Sequence, residues 1–316
     1  MKILAPLNNK DNISLFHAAG ADELYLGFYD EHWKDRFGDY TDINRMSGFK
    51  KTANRYSILE IPEIIQEILA HNMGAYITIN ANVYSAEALD YLKDRYFPIF
   101  AESGVSGVIV STENVAKCAV AYGLPVVAST IMGLYNSDIV KYYRSIGIKR
   151  MIMPRDLSLK EISAIREKAP DIDLEVFFMR RGCVFSDAYC LGAHREECGS
   201  ICGRLRLMQK QIICEQNQCI AEENDNLYQN AFHRDACGMC ALYRLREIGV
   251  SALKIVGRAD SPESLIEDIH LTMENMKIMQ NSSSESEFLS RMILPKDSKK
   301  QCRSGLSCYY PEVRYI

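Results

Sequence analysis

The residues best suited to chemistry are cysteines, and they are crowded into one part of the chain. Of the eleven, only Cys118 precedes residue 180, whereas eight lie between Cys183 and Cys240. The stretch RRGCVFSDAYCLGAHREECGSIC, residues 180–202, alone holds four of them. Thiols clustered in this way in a reducing compartment favour metal or redox chemistry over disulfides. We therefore predict a metal or redox centre built on these cysteines.

Two kinds of metal centre suit a thiol-rich site with few histidines, zinc and an iron–sulfur cluster. Zinc prefers ligands in closely spaced pairs, which the C-x3-C pair at Cys198 and the C-x2-C pair at Cys237 would provide. A [4Fe–4S] cluster accepts thiolates at more varied spacings, so it also accommodates Cys183 and Cys190. The spacing leaves both metals open, together with the simpler alternative of packed, inert thiols.

Composition narrows the class of protein. A net charge of −4 and a pI near 5.9 give no overall attraction to nucleic acid, so RNA is left open as a partner without being favoured. The opening residues MKILAPLNNKDN contain no long apolar stretch, and no apolar run approaches the roughly 18 residues of a membrane span. We expect a cytoplasmic protein with no membrane partner.

Short apolar runs alternate with segments of helical periodicity along nearly the whole chain. A strand that is apolar throughout and is followed by a helix is typical of a parallel sheet covered by helices. We predict eight such strands, at 2–6, 23–27, 75–80, 107–111, 125–129, 150–154, 174–178 and 252–257. Eight strands favour a (β/α)8 barrel, with an open doubly wound sheet as the alternative. The barrel would occupy residues 1–280, with a cysteine-rich excursion at 183–240 and a C-terminal tail at 281–316.

The barrel fixes where the reactive residues would lie, because such barrels carry their active sites at the edge where strands end and helices begin. Cys183 follows the seventh predicted strand, and Cys237 begins the helix that leads into the eighth. Arginines follow the last three strands, at Arg155, Arg180 and Arg258. Their planar guanidinium groups suit carboxylate binding. The alternative for these arginines is ion pairing with nearby aspartates.

Two other segments carry candidate ligand-binding residues. Asn80 and Asn82, after the third strand, would orient a ligand by hydrogen bonding or would simply form a turn. A long insertion at 28–58 contains Arg45 among other basic and aromatic residues. It would hold an anionic aromatic ligand or a nucleic-acid base, or it would form a solvated lid.

Ordered pieces of the sequence resemble the peptidase U32 family over roughly residues 1–280. They are GADELYLG, ITINANV, VVAST, RDLSLKEI, LEVFF with the cysteine that follows it, and DACGMCALYRLREIGVSALKIVGR. The resemblance implies a [4Fe–4S] cluster whose ligands here would be Cys183, Cys190, Cys198 and Cys237. Cys202 competes with Cys198 for the third position, and zinc is the alternative cofactor.

The resemblance also implies an activity. Better-known members resemble oxygen-independent hydroxylases of RNA bases or quinone precursors, with prephenate implicated as the oxygen donor. The short, mildly acidic chain favours a small-molecule or peptide-like substrate, with RNA hydroxylation or peptidase activity less favoured. The alternative is a non-catalytic, cluster-binding subunit that works with a homologous U32-type partner chain. We predict as catalytic Arg155, Asp156 and Arg258, and as substrate-binding Asn80, Asn82, Arg45 and Arg180.

Three segments of the chain depart from the family pattern. The usual His-Gly-Ala before the first cysteine is here Met179-Arg180-Arg181. The glutamine expected after the fifth strand is Ile131, and the acid of the KIEGR-like motif is Val256. These departures predict a changed substrate, or the loss of an acid–base group, in a site that keeps its cluster.

Overall fold

A computed structural model describes residues 1–38, 41–48, 50–183, 186–190, 194, 236–295, 302 and 308–314. The predicted ligand Cys198 and its competitor Cys202 lie outside these described residues.

Eight parallel strands close into one barrel. They are β1 (Lys2–Pro6), β2 (Glu23–Leu26), β3 (Gly74–Ile79), β4 (Gly107–Val110), β5 (Val126–Ala128), β6 (Arg150–Ile152), β7 (Asp173–Met179) and β8 (Ala252–Ile255). They pair in chain order, and β8 closes on β1 with Leu4 opposite Lys254. The predicted barrel is confirmed and the open sheet is wrong. The pairing of β8 with β1 decides between the two, since an open sheet would leave both strands as edges.

Helices cover the outside of the barrel. Those before β7 are α1 (Ile13–Ala19), α2 (Glu31–Phe37), α3 (Lys50–Ala53), α4 (Ile61–Ala70), α5 (Ala86–Tyr91), α6 (Phe97–Glu102), α7 (Glu113–Tyr122), α8 (Ser137–Ile146) and α9 (Leu159–Lys168). After the cysteine-rich excursion come α10 (Leu242–Ile248), α11 (Pro262–Gln280) and α12 (Glu285–Arg291). A capping box between Ser158 and Glu161 starts α9. No helix within the described ranges has both the length and the apolar character needed to cross a bilayer.

The insertion after β2 is packed onto the barrel. Trp33 of α2 is 2% exposed, and its ring lies 5.6 Å from that of Tyr91 and 5.9 Å from that of Tyr96. Its indole N–H donates to the backbone carbonyl of Thr41 at 2.8 Å. Tyr84 donates to the carbonyl of Ile43 at 2.5 Å, which fixes the backbone just before Arg45. The insertion therefore holds Arg45 firmly against the barrel.

A network of charged side chains fills the inside of the barrel near its amino-terminal end. Arg150 donates to Glu175 at 2.8 Å and pairs with Glu23 at 2.6 Å. Lys254 pairs with the second oxygen of Glu175 at 2.8 Å, and Arg150 also donates to Tyr76 at 2.8 Å. Both carboxylates are almost fully buried, so their charges depend on these cations.

We expect Arg150→Met to lower the free energy of unfolding by about 3–5 kcal/mol, because it leaves two buried carboxylates short of a cation. Denaturant unfolding followed by circular dichroism measures the loss. Arg144→Met is the matched control, because Arg144 pairs with Asp171 on the surface and is 49% exposed. That control should change stability by less than about 1 kcal/mol. Equal losses in the two variants would contradict the expectation.

The described part of the chain after α11 also packs on the barrel. Phe288 of α12 is fully buried. The side chain of Asn275 binds both the backbone N–H and the carbonyl of Ile293 at 2.9 Å. Tyr309, Tyr310 and Val313 are buried in the main hydrophobic core.

Candidate active site

Asp187 joins four loops at the carboxyl end of the barrel. It lies in a short helical turn, Asp187–Tyr189, between Cys183 and Cys190, and its side chain is 1% exposed. One carboxylate oxygen accepts from Arg155 at 2.9 Å and from Arg45 at 3.3 Å. The other accepts from Thr130 at 3.3 Å. The chain after β7 is thereby tied across the barrel mouth to the loops after β2, β5 and β6.

We expect Asp187→Asn to lower the free energy of unfolding by about 2–4 kcal/mol, because a neutral amide cannot balance two guanidinium charges. The urea midpoint of unfolding measures this change. Asp138→Asn is the control, because the Asp138 side chain is 89% exposed and pairs only loosely with Lys141 at 3.4 Å. A similar small shift in both variants would show that Asp187 does not hold the mouth together.

Arg258 is a buried cation whose partners are neutral. It is 5% exposed and donates to Thr78 at 2.9 Å, and to the side-chain oxygens of Asn54 and Asn44 at 3.3 Å. No carboxylate among the described residues lies within 4.0 Å of its guanidinium group. Burial, together with the smaller effect of the charge of Arg45, lowers the pKa of Arg258 to about 10, so the group is still cationic at neutral pH. A buried cation held by neutral amides is suited to bind an anion.

The sequence makes room for this arginine at Gly27, just after β2. A Cβ at that position would lie 2.1 Å from Nη1 of Arg258 and 2.0 Å from Oδ1 of Asn54. Any other residue would displace one of these groups, so the glycine is required by the site and not by a turn.

Arg155 is the second buried arginine of the mouth. Its guanidinium lies 3.9 Å from the ring centre of Phe177, as in a cation–π contact. Burial lowers the pKa of Arg155, but Asp187 and other neighbours outweigh this and the pKa is raised overall. Its Nε is buried and has no hydrogen-bond partner in the described part of the chain. That N–H is a donor available to a ligand.

Arg180 lies near the mouth but its side chain is directed towards α11. Its guanidinium hydrogen-bonds Asp268, lies 3.6 Å from Asp260 and donates to the carbonyl of Ser264 at 2.9 Å. Its backbone is left-handed, with φ at 65°, and Arg181 follows with φ at 45°. The U32 family, which the sequence resembles, has glycine at the position of Arg180, and glycine adopts a left-handed conformation at little cost. The two ion pairs offset the strain here and keep Arg180 apart from Arg155 and Arg258.

The remaining predicted residues lie around the same mouth. Asn80 accepts from the backbone N–H of Arg45 at 3.3 Å, and Asn82 donates to the carbonyl of Cys190 at 2.9 Å. Both asparagines therefore hold neighbouring loops in place. Asp156 is exposed and accepts from the hydroxyl of Tyr135 at 3.1 Å. Asp156 therefore lies at the exposed rim of the barrel mouth, whereas Arg258 is buried within it.

Two described cysteines of the predicted cluster, Cys183 and Cys237, lie at the end of β7, whereas Cys190 is held by the loop after β3. Cys183 is close enough to Arg155 to raise the pKa of that arginine, and Cys190 is held by Asn82. Cys237 pairs with Met179 of β7 in an isolated antiparallel bridge. Its sulfur accepts the N–H of Met239 at 3.4 Å, a hydrogen bond of the kind that tunes metal-bound thiolates. The described cysteines, histidines and carboxylates do not by themselves form a group of three arranged around one metal.

Cys237 also has thiol neighbours that the sequence pattern left unassigned. Burial raises the pKa of the Cys237 thiol, and Cys240, Cys308 and Cys302 raise it further. Cys308 forms a parallel bridge with Cys237. Spacing in the sequence could relate Cys240 to Cys237 but could not relate residues more than sixty positions away.

His194 brings an imidazole to the mouth, and the sequence pattern gave it no role. Its ring hydrogen-bonds the backbone of Arg45. Its Nδ1 is buried with no hydrogen-bond partner among the described residues. Burial lowers the pKa of His194 to about 4, and the charges of Arg45 and Arg155 contribute. The ring is therefore neutral at pH 7 and offers a lone pair.

This pKa makes stability depend on pH in a stated direction. Below about pH 6.5 an unfolded His194 takes up a proton, whereas the folded one stays neutral down to about pH 4, so unfolding is favoured as pH falls through this window. We expect wild type to lose about 1–2 kcal/mol more than His194→Gln between pH 7 and pH 4.5. Denaturant unfolding at both pH values measures this difference. His270→Gln, which alters a 61% exposed histidine, should follow wild type.

Fold and site together define a (β/α)8-barrel protein whose mouth combines buried arginines with cysteines. The model of peptidase family U32 matches residues 8–315. The chain therefore belongs to peptidase family U32, and the resemblance seen in the sequence is confirmed.

Relatives in this family carry different names. The chain is 24% identical to tRNA hydroxylation protein P1 of Bacillus subtilis over 271 residues, which cover 82% of this chain and 59% of the relative. It is 24% identical to tRNA hydroxylation protein P of Escherichia coli over 194 residues, covering 60% and 38%. It is 19% identical to a collagenase of Porphyromonas gingivalis over 308 residues, covering 92% and 69%. The chain thus spans 59% and 38% of the length of the first two relatives.

One solved structure that is similar to the chain also carries the family name. The structure of the U32 peptidase Mk0906 aligns with a TM-score of 0.44 at 13% identity, over 56% of this chain and 68% of that one.

Proposed function

We propose that the chain is a cluster-dependent, hydroxylase-type enzyme that acts on an RNA nucleoside with the help of an anionic co-substrate. The observation that carries the proposal is Arg258, a buried cation with neutral partners at the mouth of the barrel. The names of the relatives support RNA, since those from B. subtilis and E. coli are tRNA hydroxylation proteins. This support for RNA outweighs the argument from length and net charge, which favoured a small-molecule or peptide-like substrate.

The chemical type of the candidate ligands, which are all thiols, supports an iron–sulfur cluster. Cys183, Cys190 and Cys237 are thiols in segments at the carboxyl end of the barrel, and the N–H of Met239 donates to the sulfur of Cys237. We propose that these three and Cys198 hold a [4Fe–4S] cluster, with zinc as the competing metal. Such a cluster supplies electron transfer when it is bound.

The residues of the mouth would bind and orient the co-substrate. Arg258 and the Nε–H of Arg155, which has no acceptor among the described residues, would offer donors to a carboxylate, as an oxygen donor of the prephenate type would require. The Nδ1 of His194, neutral at pH 7, would accept a proton or a hydrogen bond from a hydroxyl group. Asp187 keeps Arg155 and Arg45 in position without using its own charge on the ligand.

Nucleoside analysis tests the proposal. The chain is expressed anaerobically in cells that lack tRNA hydroxylation, and digested tRNA is examined by mass spectrometry for a nucleoside that has gained one oxygen atom. Arg258→Met should remove the product, and Arg144→Met should not. A product that is absent in cells that supply prephenate, both with wild type alone and with a co-expressed homologous U32-type chain, would contradict an RNA hydroxylase.

We also propose that the chain works together with a partner chain, and a separate observation favours this. Two tRNA hydroxylation proteins, P1 and P2, occur together in B. subtilis, and both are similar to this chain. This chain would then be one subunit of a heteromer and would need a homologous U32-type chain for activity. Product formation only on co-expression with such a chain would favour this arrangement.

A further inference from the structure

The C-terminal segment, residues 308–314, returns to the end of β7 beside the candidate site. The N–H of Tyr309 donates to the carbonyl of Cys237 at 3.1 Å, next to the bridge between Cys237 and Cys308. Since Cys237 also pairs with Met179, the segment extends a small sheet outward from β7.

Two further contacts anchor this segment. The hydroxyl of Tyr310 donates to the carbonyl of Phe177 at 3.1 Å. A carboxylate oxygen of Glu312 accepts the N–H of Leu159 at 2.7 Å, at the start of α9. Gly238 leaves the space, because a Cβ there would lie 3.2 Å from the Tyr310 ring and 2.9 Å from that of Phe178. The segment is thus seated at both of its ends.

Tyr309 reaches from this segment to Arg155. Its ring is stacked on Phe177, with centroids 6.3 Å apart and planes 19° apart, and the same Phe177 ring is covered by Arg155. Its hydroxyl donates to the carbonyl of Arg180, which leaves the phenol oxygen to accept from a guanidinium. Burial raises the pKa of the Tyr309 phenol, and the nearby charge of Arg155 lowers it, so the two groups lie close together.

We propose that Tyr309 is a positioning residue that fixes the Arg155 guanidinium for anion binding. The C-terminal segment is then a working part of the site. Asp187 accepts a hydrogen bond from Arg155, and Phe177, itself stacked on Tyr309, covers the flat face of the guanidinium. The Nε–H, which has no partner among the described residues, is thereby presented to a ligand. The binding role rests on the anion site of the proposed function, but the immobilisation of Arg155 does not.

The first test uses two tyrosines that each lose one buried hydroxyl. Tyr309→Phe and Tyr310→Phe remove similar hydrogen bonds from neighbouring residues, but it is Tyr309 that stacks on the Phe177 ring covered by Arg155. Malonate serves as a dicarboxylate probe, and calorimetry on the anaerobically purified full chain gives its Kd. We expect Tyr309→Phe to raise the Kd about 5–10-fold and Tyr310→Phe to change it less than about two-fold. Equal changes in the two variants would overturn the inference.

The second test needs no ligand. In 15N-labelled protein the Nε–Hε signal of Arg155 is assigned by its loss in Arg155→Lys, and its exchange with water is measured. Tyr309→Phe should speed this exchange about five-fold or more, and Tyr310→Phe should leave it unchanged. Unchanged exchange in Tyr309→Phe would overturn the positioning role. Failure of wild type to bind malonate, with exchange behaving as expected, would count against the anion site and leave the positioning of Arg155 supported.

Discussion

Cys183→Ser should abolish iron loading. Anaerobically purified wild type is expected to be brown and to carry about four irons per chain, as one [4Fe–4S] cluster requires. Serine is a poor ligand for iron in place of a thiolate, and three remaining thiols would bind a cluster weakly. Iron analysis together with optical and paramagnetic resonance spectra measures the effect.

Cys118→Ser is the control for this substitution. Cys118 lies on α7 on the outside of the barrel and is partly buried, so its loss should leave iron content and colour unchanged. Serine variants at Cys198 and Cys202 then show which of the two is the third ligand, since only one should lose the cluster. A colourless wild type that carries zinc would refute the iron–sulfur site.

Arg258→Met should remove activity without unfolding the protein. Arg258 has three neutral partners and no described carboxylate within 4.0 Å, so its removal strands no opposite charge. Methionine fills much of the same space, and replacing a buried charge by an apolar side chain is often neutral or stabilising. Losing a buried cation that binds an anion costs about 2–5 kcal/mol of binding, which predicts a decrease of at least about thirty-fold in product formation.

Arg150→Met gives the opposite result and makes the comparison decisive. Arg150 is also buried, but it neutralises Glu23 and Glu175, so its removal should lower stability. Thermal unfolding of the two variants side by side, together with the nucleoside assay, separates a binding arginine from a structural one. Severe destabilisation by Arg258→Met would mean that this arginine supports the fold in the way Arg150 does.

Local patterns in the sequence were enough for the barrel and for the edge that carries the site. Each strand is a short run whose residues are buried along almost its whole length, and this property can be recognised without knowledge of its neighbours. The positions of Arg155, Arg258 and Cys183 follow from that pattern, because each comes directly after a strand. Sequence alone therefore predicted that these residues lie at one end of the barrel.

Partners across the barrel mouth were decided only by the tertiary structure. Asp187 accepts from Arg45, 142 positions earlier in the chain, and no local spacing relates the two. Arg180 follows a strand as Arg155 does, yet its left-handed backbone and the aspartates beside it direct its side chain elsewhere. Whether a buried arginine is paired with carboxylates, as Arg150 is, or with neutral side chains, as Arg258 is, depends on which segments meet in the folded barrel. Those segments lie far apart in the chain.

The C-terminal segment, residues 308–314, is a second case in which the tertiary structure decided what the sequence did not. Its composition gave no reason to join it to the site, but Tyr309 lies against Phe177 and Arg155. Sequence by itself determined the strands, the family and the strand ends that bear reactive groups, because these depend on residues close together in the chain. Which arginine is free to bind an anion, and which segment holds it in place, depends on contacts between segments far apart in the chain, and only the closed barrel brings those together.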